Sequence, residues 1–363
     1  MPDKSTAKSN GNDDLKSAGQ PSARRRVWSM IFRILLPLVI TVGLCYKLFS
    51  DVDYHEMLDI IERDCNYWWI VLALVISIFS HIFRAMRWRI QLRAIDVRPP
   101  LFYVVLSIFG TYAVNLVFPR LGELWRTGYI SQRQRAPFDA VFGSMVADRL
   151  ADTVTVALIT LLTFIFAGQP LLRFIAEKSD AGTVNGIIAL LSSPWLYLGG
   201  VAAVVIAVCL LRRFRNVRPI AAFIGFCRGL WHASPPIATM HGRVRWLLLT
   251  LCIWGCYFMQ LYVAFFAFPA TAQVVADHGV AAVMVCFVLS SIAMVIPSNG
   301  GIGPWQVAVI FGLGIYSACI PELTETYATS FANLVMGSQT LLLIILGLFT
   351  FICIAVDRRR SRK

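Results

Sequence analysis

The sequence predicts an all-helical integral membrane protein that keeps most of its length in the bilayer. Of its 363 residues, 58% are hydrophobic and only 15% are charged, whereas a soluble domain has about 25% charged residues. The apolar residues fall in segments of about 20 residues, which is the length that crosses a hydrocarbon core. A soluble fold could not bury so much apolar surface. Examples of these apolar runs are residues 70–79, 158–167, 201–211 and 341–356.

The net charge of +13 is concentrated in short basic tracts beside the apolar segments. This placement follows the positive-inside pattern and predicts that both termini face the cytoplasm. A nucleic-acid-binding protein would need a folded basic face, and no zinc-finger, RNP or helix-turn-helix signature occurs, so we expect no nucleic-acid partner. Several of the nine cysteines lie within apolar helices, without a histidine or second cysteine pair that would complete a zinc site. We expect no metal and no cofactor.

The chain divides into a polar tail (1–26), a membrane domain (27–356) and a basic tail (357–363). The first tail is rich in Lys, Ser, Asn and Gly, a composition that predicts disorder. Residues 216–243 have the character of a segment at the inner surface. Alternation of the basic tracts predicts six full crossings, near residues 28–49, 67–86, 137–167, 195–211, 245–268 and 331–356.

Two further apolar stretches are interrupted too early to cross the bilayer. Residues 101–118 end at Pro119, and residues 280–319 are broken by a turn rich in Gly and Pro at 297–304. Such backbone is tolerated at membrane depth only inside protein or along a cavity. We therefore predict two broken re-entrant hairpins, one entered from each face, as in transporters built from inverted repeats. If each stretch is instead two ordinary short helices, the number of crossings stays even and both termini stay on the same side.

Ionisable residues at the first break and in the helix over 137–167 are candidate binding residues. Because Glu123 lies three residues from both Arg120 and Arg126, it can neutralise one arginine and leave the other free. We expect the two arginines to bind an anionic headgroup while Asp148 and Asp152 orient them. The alternative is a buried salt-bridge network that only locks helix packing. The full set is Asn115, Arg120, Glu123, Arg126, Asp148, Arg149 and Asp152.

The turn at 297–304 supplies a second candidate set. Its glycines let backbone N–H groups approach a ligand closely, and Pro304 suits the first turn of the next helix. The N-terminus of that helix would attract a phosphate or carboxylate. Alternatively, the glycines only allow tight helix contact. The residues are Asn299, Gly300, Gly301, Gly303 and Gln306.

Four segments of the sequence resemble the flippase-like membrane domain of bacterial lysylphosphatidylglycerol synthases. They are residues 84–88 (RAMRW), 115–126 (NLVFPRLGELWR), 148–152 (DRLAD) and 297–303 (PSNGGIG). The resemblance extends over about residues 27–356 and implies movement of phospholipid between leaflets of a bacterial inner membrane. It implies no synthase activity, because the soluble synthase domain is absent from the sequence. Gln306 stands where family members often have Glu, so no proton-coupling role is implied there.

Enzymatic functions find little support in the sequence. It contains no GxxxxGK[ST], HExxH or GxSxG motif, and Asp148 with Asp152 does not supply the metal set of a phosphatidyltransferase. We expect a non-enzymatic lipid translocase, flippase- or scramblase-like, for an anionic phospholipid or a polyprenyl-phosphate-type envelope lipid. The alternative is a non-transporting partner of an envelope glycosyltransferase or lipid-modifying enzyme. A translocase needs a solvated path, whereas such a partner needs a closed and fully paired charge network.

Overall fold

The computed structural model describes residues 54–178 and 242–360, apart from residues 119, 297 and 318. Within these residues the secondary structure consists of nine α-helices. The predicted tail 1–26, the predicted crossings 28–49 and 195–211, and nearly all of segment 216–243 lie outside the described residues. The helices are α1 (Tyr54–Asp64), α2 (Tyr67–Ala94), α3 (Leu101–Val117), α4 (Leu121–Gln134), α5 (Phe138–Lys178), α6 (Arg243–Phe265), α7 (Pro269–Ala293), α8 (Pro304–Gly314) and α9 (Glu325–Arg360).

Four helices in the described part of the chain are long and apolar enough to cross a membrane. They are α2, α6, α7 and the segment Glu325–Asp357 of α9, while α3 and α8 are shorter apolar helices. The protein is therefore a helical membrane protein. The sequence predicted α5 rather than α7 as a full crossing, and α5 is a helix of 41 residues. The count of six crossings stays a prediction.

Helices α3 and α4 form an antiparallel hairpin, which we call hairpin one. The Tyr103 ring near the start of α3 lies 3.4 Å from the guanidinium carbon of Arg133 near the end of α4. At the turn, the Asn115 side-chain oxygen accepts a hydrogen bond of 2.8 Å from the Gly122 N–H. Arg120 has a positive φ of 61° in this turn, so the chain reverses at the break that the sequence predicts.

The second half of α7 and helix α8 form hairpin two. Helix α7 bends at Gly279, where φ is 66° and ψ is −161°. Beyond this bend α7 packs antiparallel to α8, with Cys286 against Gly312. At the base of the pair, the His278 ring lies 4.7 Å from the ring of Tyr316, which follows α8. Pro304 is the first residue of α8, where its missing N–H costs nothing, as the sequence predicts.

The two hairpins enter the helix bundle from opposite ends. Arg133, at the base of hairpin one, forms an ion pair of 2.6 Å with Asp357 near the end of α9. The base of hairpin two leads through residues 315–324 directly into the start of α9. Because α9 has 36 residues, its two ends lie about 50 Å apart at 1.5 Å per residue. The two bases are therefore at opposite ends of the bundle.

The tips of the two hairpins touch each other. The Arg120 side chain donates a hydrogen bond of 2.9 Å from Nη2 to the Val295 carbonyl oxygen. The Leu116 side chain packs so closely on Gly300 that a Cβ at that glycine would lie 2.6 Å from the leucine Cδ2. Each hairpin thus extends far enough into the bundle to contact the other.

Candidate functional site

Among the described residues, seven charged side chains from three helices gather beside hairpin one. Helix α2 contributes the two arginines that sequence reasoning missed, and α4 and α5 contribute residues that it predicted. Four arginines face three carboxylates, so the cluster has a formal net charge of +1. We call these residues the charge cluster: Arg84, Arg87, Glu123, Arg126, Asp148, Arg149 and Asp152.

Arg87 is held by both aspartates of α5. Its Nη2 donates to Asp148 Oδ1 at 2.6 Å and to Asp152 Oδ1 at 2.7 Å, and its Nε donates to Asp148 Oδ1 at 2.9 Å. The aspartates can share one partner because they are one turn apart on one face of α5, as the sequence predicts. The Thr250 hydroxyl of α6 accepts from Nη1 at 3.4 Å, and the guanidinium lies 5.5 Å from the Trp246 ring.

Arg84 completes this part of the cluster one turn away along α2. Its Nη1 donates to Asp152 Oδ2 at 2.7 Å. The Tyr257 hydroxyl of α6 accepts from its Nε at 3.2 Å and from its Nη2 at 3.1 Å. Arg84 and Arg87 are buried, and their bonds connect α2, α5 and α6. Losing either arginine would leave a carboxylate of α5 with one fewer charged partner.

Glu123 bonds to α5 rather than to the arginines on its own side of the hairpin turn. Arg149 Nη2 donates to Glu123 Oε1 at 2.9 Å, and Asn115 Nδ2 donates to Glu123 Oε2 at 3.3 Å. The prediction that Glu123 neutralises Arg120 or Arg126 is wrong. Arg120 precedes the first turn of α4 with left-handed backbone, so it lacks the helical geometry that an i,i+3 pair requires.

Arg126 is fully buried, yet its guanidinium nitrogens have no hydrogen-bond acceptor within the described protein. The guanidinium carbon lies 4.5 Å from the centre of the Trp88 ring. The nearest carboxylate oxygen is Asp148 Oδ2, at 3.7 Å from Nη2, and this oxygen has no hydrogen-bond donor either. Buried polar groups are nearly always hydrogen-bonded, and a guanidinium carries five N–H donors. Arg126 therefore has donors to offer to a ligand.

Arg120 lies apart from the charge cluster. Its guanidinium bonds to the backbone of hairpin two at Val295. The predicted pairing, in which Asp148 and Asp152 orient Arg120 together with Arg126, is therefore wrong for Arg120. The aspartates hold the two arginines of α2 instead.

The turn of hairpin two is packed into the protein. Gly300, Gly301 and Gly303 all have positive φ, and Gly301 lies directly against the Met294 side chain. The Gln306 side-chain oxygen accepts from the Gly303 N–H at 2.8 Å, and its nitrogen donates to Asn333 Oδ1 at 2.6 Å. Both polar atoms of the Gln306 side chain, which is in the second candidate set, therefore make hydrogen bonds within the fold. Asn299 is half-buried in the same turn.

A profile of the family described as Lysylphosphatidylglycerol synthase TM region matches residues 34–347, which is most of the chain. The chain belongs to this family. It is also similar to a protein named Glycosyltransferase AglD from Haloferax volcanii, with 27% identity over 148 residues. That match covers 40% of this chain and 23% of the Haloferax protein, so the chain spans less than a quarter of that relative. No solved structure matches the chain significantly.

The four segments that resemble the lysylphosphatidylglycerol synthase family come together in space. Segments 84–88, 115–126 and 148–152 supply the charge cluster with its arginines and carboxylates. The segments 115–126 and 297–303 form the turns of the two hairpins, and these turns touch. The four segments therefore form one continuous region of this structure.

The sequence analysis left Arg84 and Arg87 out of the candidate residues because it ended the helix near residue 86, beside a basic tract. Helix α2 continues to Ala94, so both arginines lie on a helical face that packs against α5 and α6. The signal available in the sequence was their spacing, since residues three apart share a helical face. Tyr257 and Thr250 carried no comparable signal. No set of three or more His, Cys, Asp or Glu that could hold a metal occurs within the described ranges.

Proposed function

We propose that this chain is a lipid translocase, flippase- or scramblase-like, that moves an anionic phospholipid or a polyprenyl-phosphate-type envelope lipid between leaflets. The observation that supports this most strongly is Arg126, a fully buried guanidinium whose N–H donors have no acceptor in the described protein. It lies on α4, six residues after Arg120 at the tip of hairpin one. At 1.5 Å per residue this is about 9 Å from the contact between the hairpins.

The chemistry of the charge cluster suits a phosphate-bearing headgroup. A guanidinium stays charged when buried, and its planar fork matches two phosphate oxygens. The formal charge of +1 on the cluster would be balanced by one anionic group. Four of the carboxylate oxygens already accept hydrogen bonds from arginines, so they would compete little for Arg126. A headgroup could therefore displace the weak contact of Arg126 with Asp148.

The hairpins suit the path of that headgroup. We propose that both are re-entrant in the bilayer, within a domain of six full crossings whose termini lie in the cytoplasm of a bacterial cell. Irregular backbone at that depth requires protein or water around it, and broken segments of the two halves commonly line transport sites. A headgroup that leaves Arg126 would meet the joined tips at Arg120 and Val295. Movement of the tips would then decide which leaflet the site faces.

A second function deserves a test, because the chain is similar to a protein named as a glycosyltransferase. In this proposal the chain does not transport lipid and instead holds a glycosyltransferase or lipid-modifying enzyme at the membrane. The bonds among Arg84, Arg87, Asp148 and Asp152 support it, since buried ion pairs of this kind can serve helix packing alone. In either proposal the chain itself is not an enzyme.

Leaflet-resolved reconstitution separates the two proposals. The purified chain would be placed in liposomes that contain a trace of fluorescent anionic phospholipid, and a membrane-impermeant reductant would be added outside. A translocase exposes inner-leaflet probe to the reductant, so bleaching should exceed that of protein-free liposomes. A fluorescent polyprenyl phosphate tests the other lipid class, and a zwitterionic probe is the control. Bleaching equal to that of protein-free liposomes for both anionic probes would support the non-transporting partner.

A further inference from the structure

A cavity separate from the charge cluster lies between α4 and the last turns of α9. It has a volume of about 690 Å³. Trp125 and Tyr129 line it from α4, and Phe351 and Ile354 line it from α9. Gln132 and Arg359 lie at its end. We call this cavity the α4/α9 groove.

The apolar walls of the α4/α9 groove are held in place by ring contacts. The Trp125 ring stacks on Tyr129 with centroids 5.5 Å apart, and it meets Phe351 edge to face at 5.7 Å. On α3, Gly110 has no side chain, and the Trp125 ring occupies the place that a Cβ would take. The ring is therefore wedged between α3 and α9. A groove with fixed walls binds a chain-like ligand at a lower entropic cost.

Among the described residues that line the groove, Arg359 is the charged one and none is acidic. The nearby Asp357 is already bound to Arg133 at 2.6 Å. The apolar run 341–356 of α9 is followed by Asp357 and a basic tract, so we expect Arg359 at the level of the headgroups. Phe351 is eight residues earlier on α9, about 12 Å deeper. The groove therefore has a cationic end at the membrane surface and an aromatic wall in the hydrocarbon.

We propose that the α4/α9 groove binds an anionic membrane lipid, with its phosphate on Arg359 and Gln132 and an acyl chain against Trp125 and Phe351. The positive charge of Arg359 at the end of the groove favours an anion, because arginine makes charge-assisted hydrogen bonds to phosphate oxygens. The aromatic wall selects a lipid over a soluble phosphate, because it offers apolar contact to a chain. Binding here needs no transport, so the proposal stands apart from the translocase function.

Gly128 allows the groove to be filled without disturbing the fold. It lies on α4 within the groove lining, and a Cβ built there meets no heavy atom within 4 Å. Gly128→Leu should therefore place its side chain in the groove, and it replaces glycine by a better helix former. Gly255 on α6 is the matched control, because a Cβ there is equally unobstructed and the residue is not part of the groove lining. Arg359→Gln removes the cationic end.

The test is photo-labelling in nanodiscs with two phospholipid probes, one anionic and one zwitterionic, each with a diazirine on its acyl chain. Mass spectrometry should find the anionic probe on peptides 124–132 and 351–355. Gly128→Leu should remove most of this labelling and Gly255→Leu should not. Arg359→Gln should lower labelling by the anionic probe about threefold, the size expected for an exposed ion pair, without changing the zwitterionic probe.

Three results would overturn the lipid site. The first is equal labelling of wild type and Gly128→Leu at these peptides, and the second is equal labelling by both probes in the wild type. The third comes from a photoreactive amino acid introduced at position 132 in place of Gln132. We expect this amino acid to capture lipid. Capture of a segment of this chain or of another protein would assign the groove to that segment instead. Because labelling is read without transport, failure of the translocase proposal leaves these outcomes unchanged.

Discussion

Arg120 donates a hydrogen bond of 2.9 Å to the backbone oxygen of Val295, and this bond joins two hairpins that come from opposite ends of the bundle. The residue that donates it has left-handed backbone with φ of 61°, which costs a non-glycine residue about 1–2 kcal/mol. The fold holds Arg120 in this conformation at the tip of hairpin one. Motion of either tip therefore has to break a specific bond.

Cross-linking the two tips should stop transport. In a cysteine-free background, Arg120→Cys with Val295→Cys should react efficiently with a short bis-maleimide, because the native residues are in contact. The linked protein should lose lipid movement, since the tips can no longer separate. The control pairs Arg120→Cys with Val280→Cys, which is exposed near the base of hairpin two. Equal cross-linking of both pairs would mean that the tips do not meet in the membrane.

The bases of the two hairpins should be accessible from opposite faces of the membrane. Cys319 follows hairpin two and is exposed, so as a single cysteine it should react with an impermeant thiol reagent added outside intact cells. Arg135→Cys, at the base of hairpin one, should react only after the membrane is opened. Labelling of both positions from the same side would contradict the opposed hairpins.

Gly301→Ala should destabilise the protein by about 1–3 kcal/mol, the cost of an unfavourable backbone conformation. Gly301 has a φ of 91°, and an added Cβ would lie 2.8 Å from the Met294 Cε. Gly314→Ala is the control, because a Cβ there meets no neighbour and φ is not positive. The midpoint of thermal unfolding in detergent should be lower for Gly301→Ala than for Gly314→Ala. An unchanged midpoint for Gly301→Ala would contradict the packed turn.

The sequence was sufficient to predict the class of fold, because the lengths and breaks of apolar segments follow directly from the thickness of the bilayer. It also predicted the two turns, since Pro119 and the glycines of 297–304 interrupt helices by local chemistry. The pairing of charges could not be predicted. It depends on how α2 and α5 face each other, which brings Arg87 to Asp148 across 61 positions of sequence. The local i,i+3 rule consequently gave Glu123 the wrong partners.

We propose that the Arg126 guanidinium binds a ligand, whereas Arg87 stabilises the fold. Arg87→Met would leave Asp148 and Asp152 short of a partner in the protein interior, and should cost about 3–5 kcal/mol of stability. Arg126→Met removes a guanidinium that makes no hydrogen bond to the described residues, so its loss should cost about 1–2 kcal/mol through the contact with Trp88. The midpoint of thermal unfolding in detergent should therefore be much higher for Arg126→Met than for Arg87→Met.

The most direct measurement is the rate of anionic lipid movement by Arg126→Met in liposomes, normalised to folded protein and compared with wild type. We predict that the variant is folded and abundant but inactive, because the buried donors for the headgroup are gone. Arg126→Lys, which keeps the charge and loses the planar fork, should be intermediate. Movement at the wild-type rate by folded Arg126→Met would contradict the proposed role of Arg126 in headgroup binding and would leave the charge cluster as a structural network.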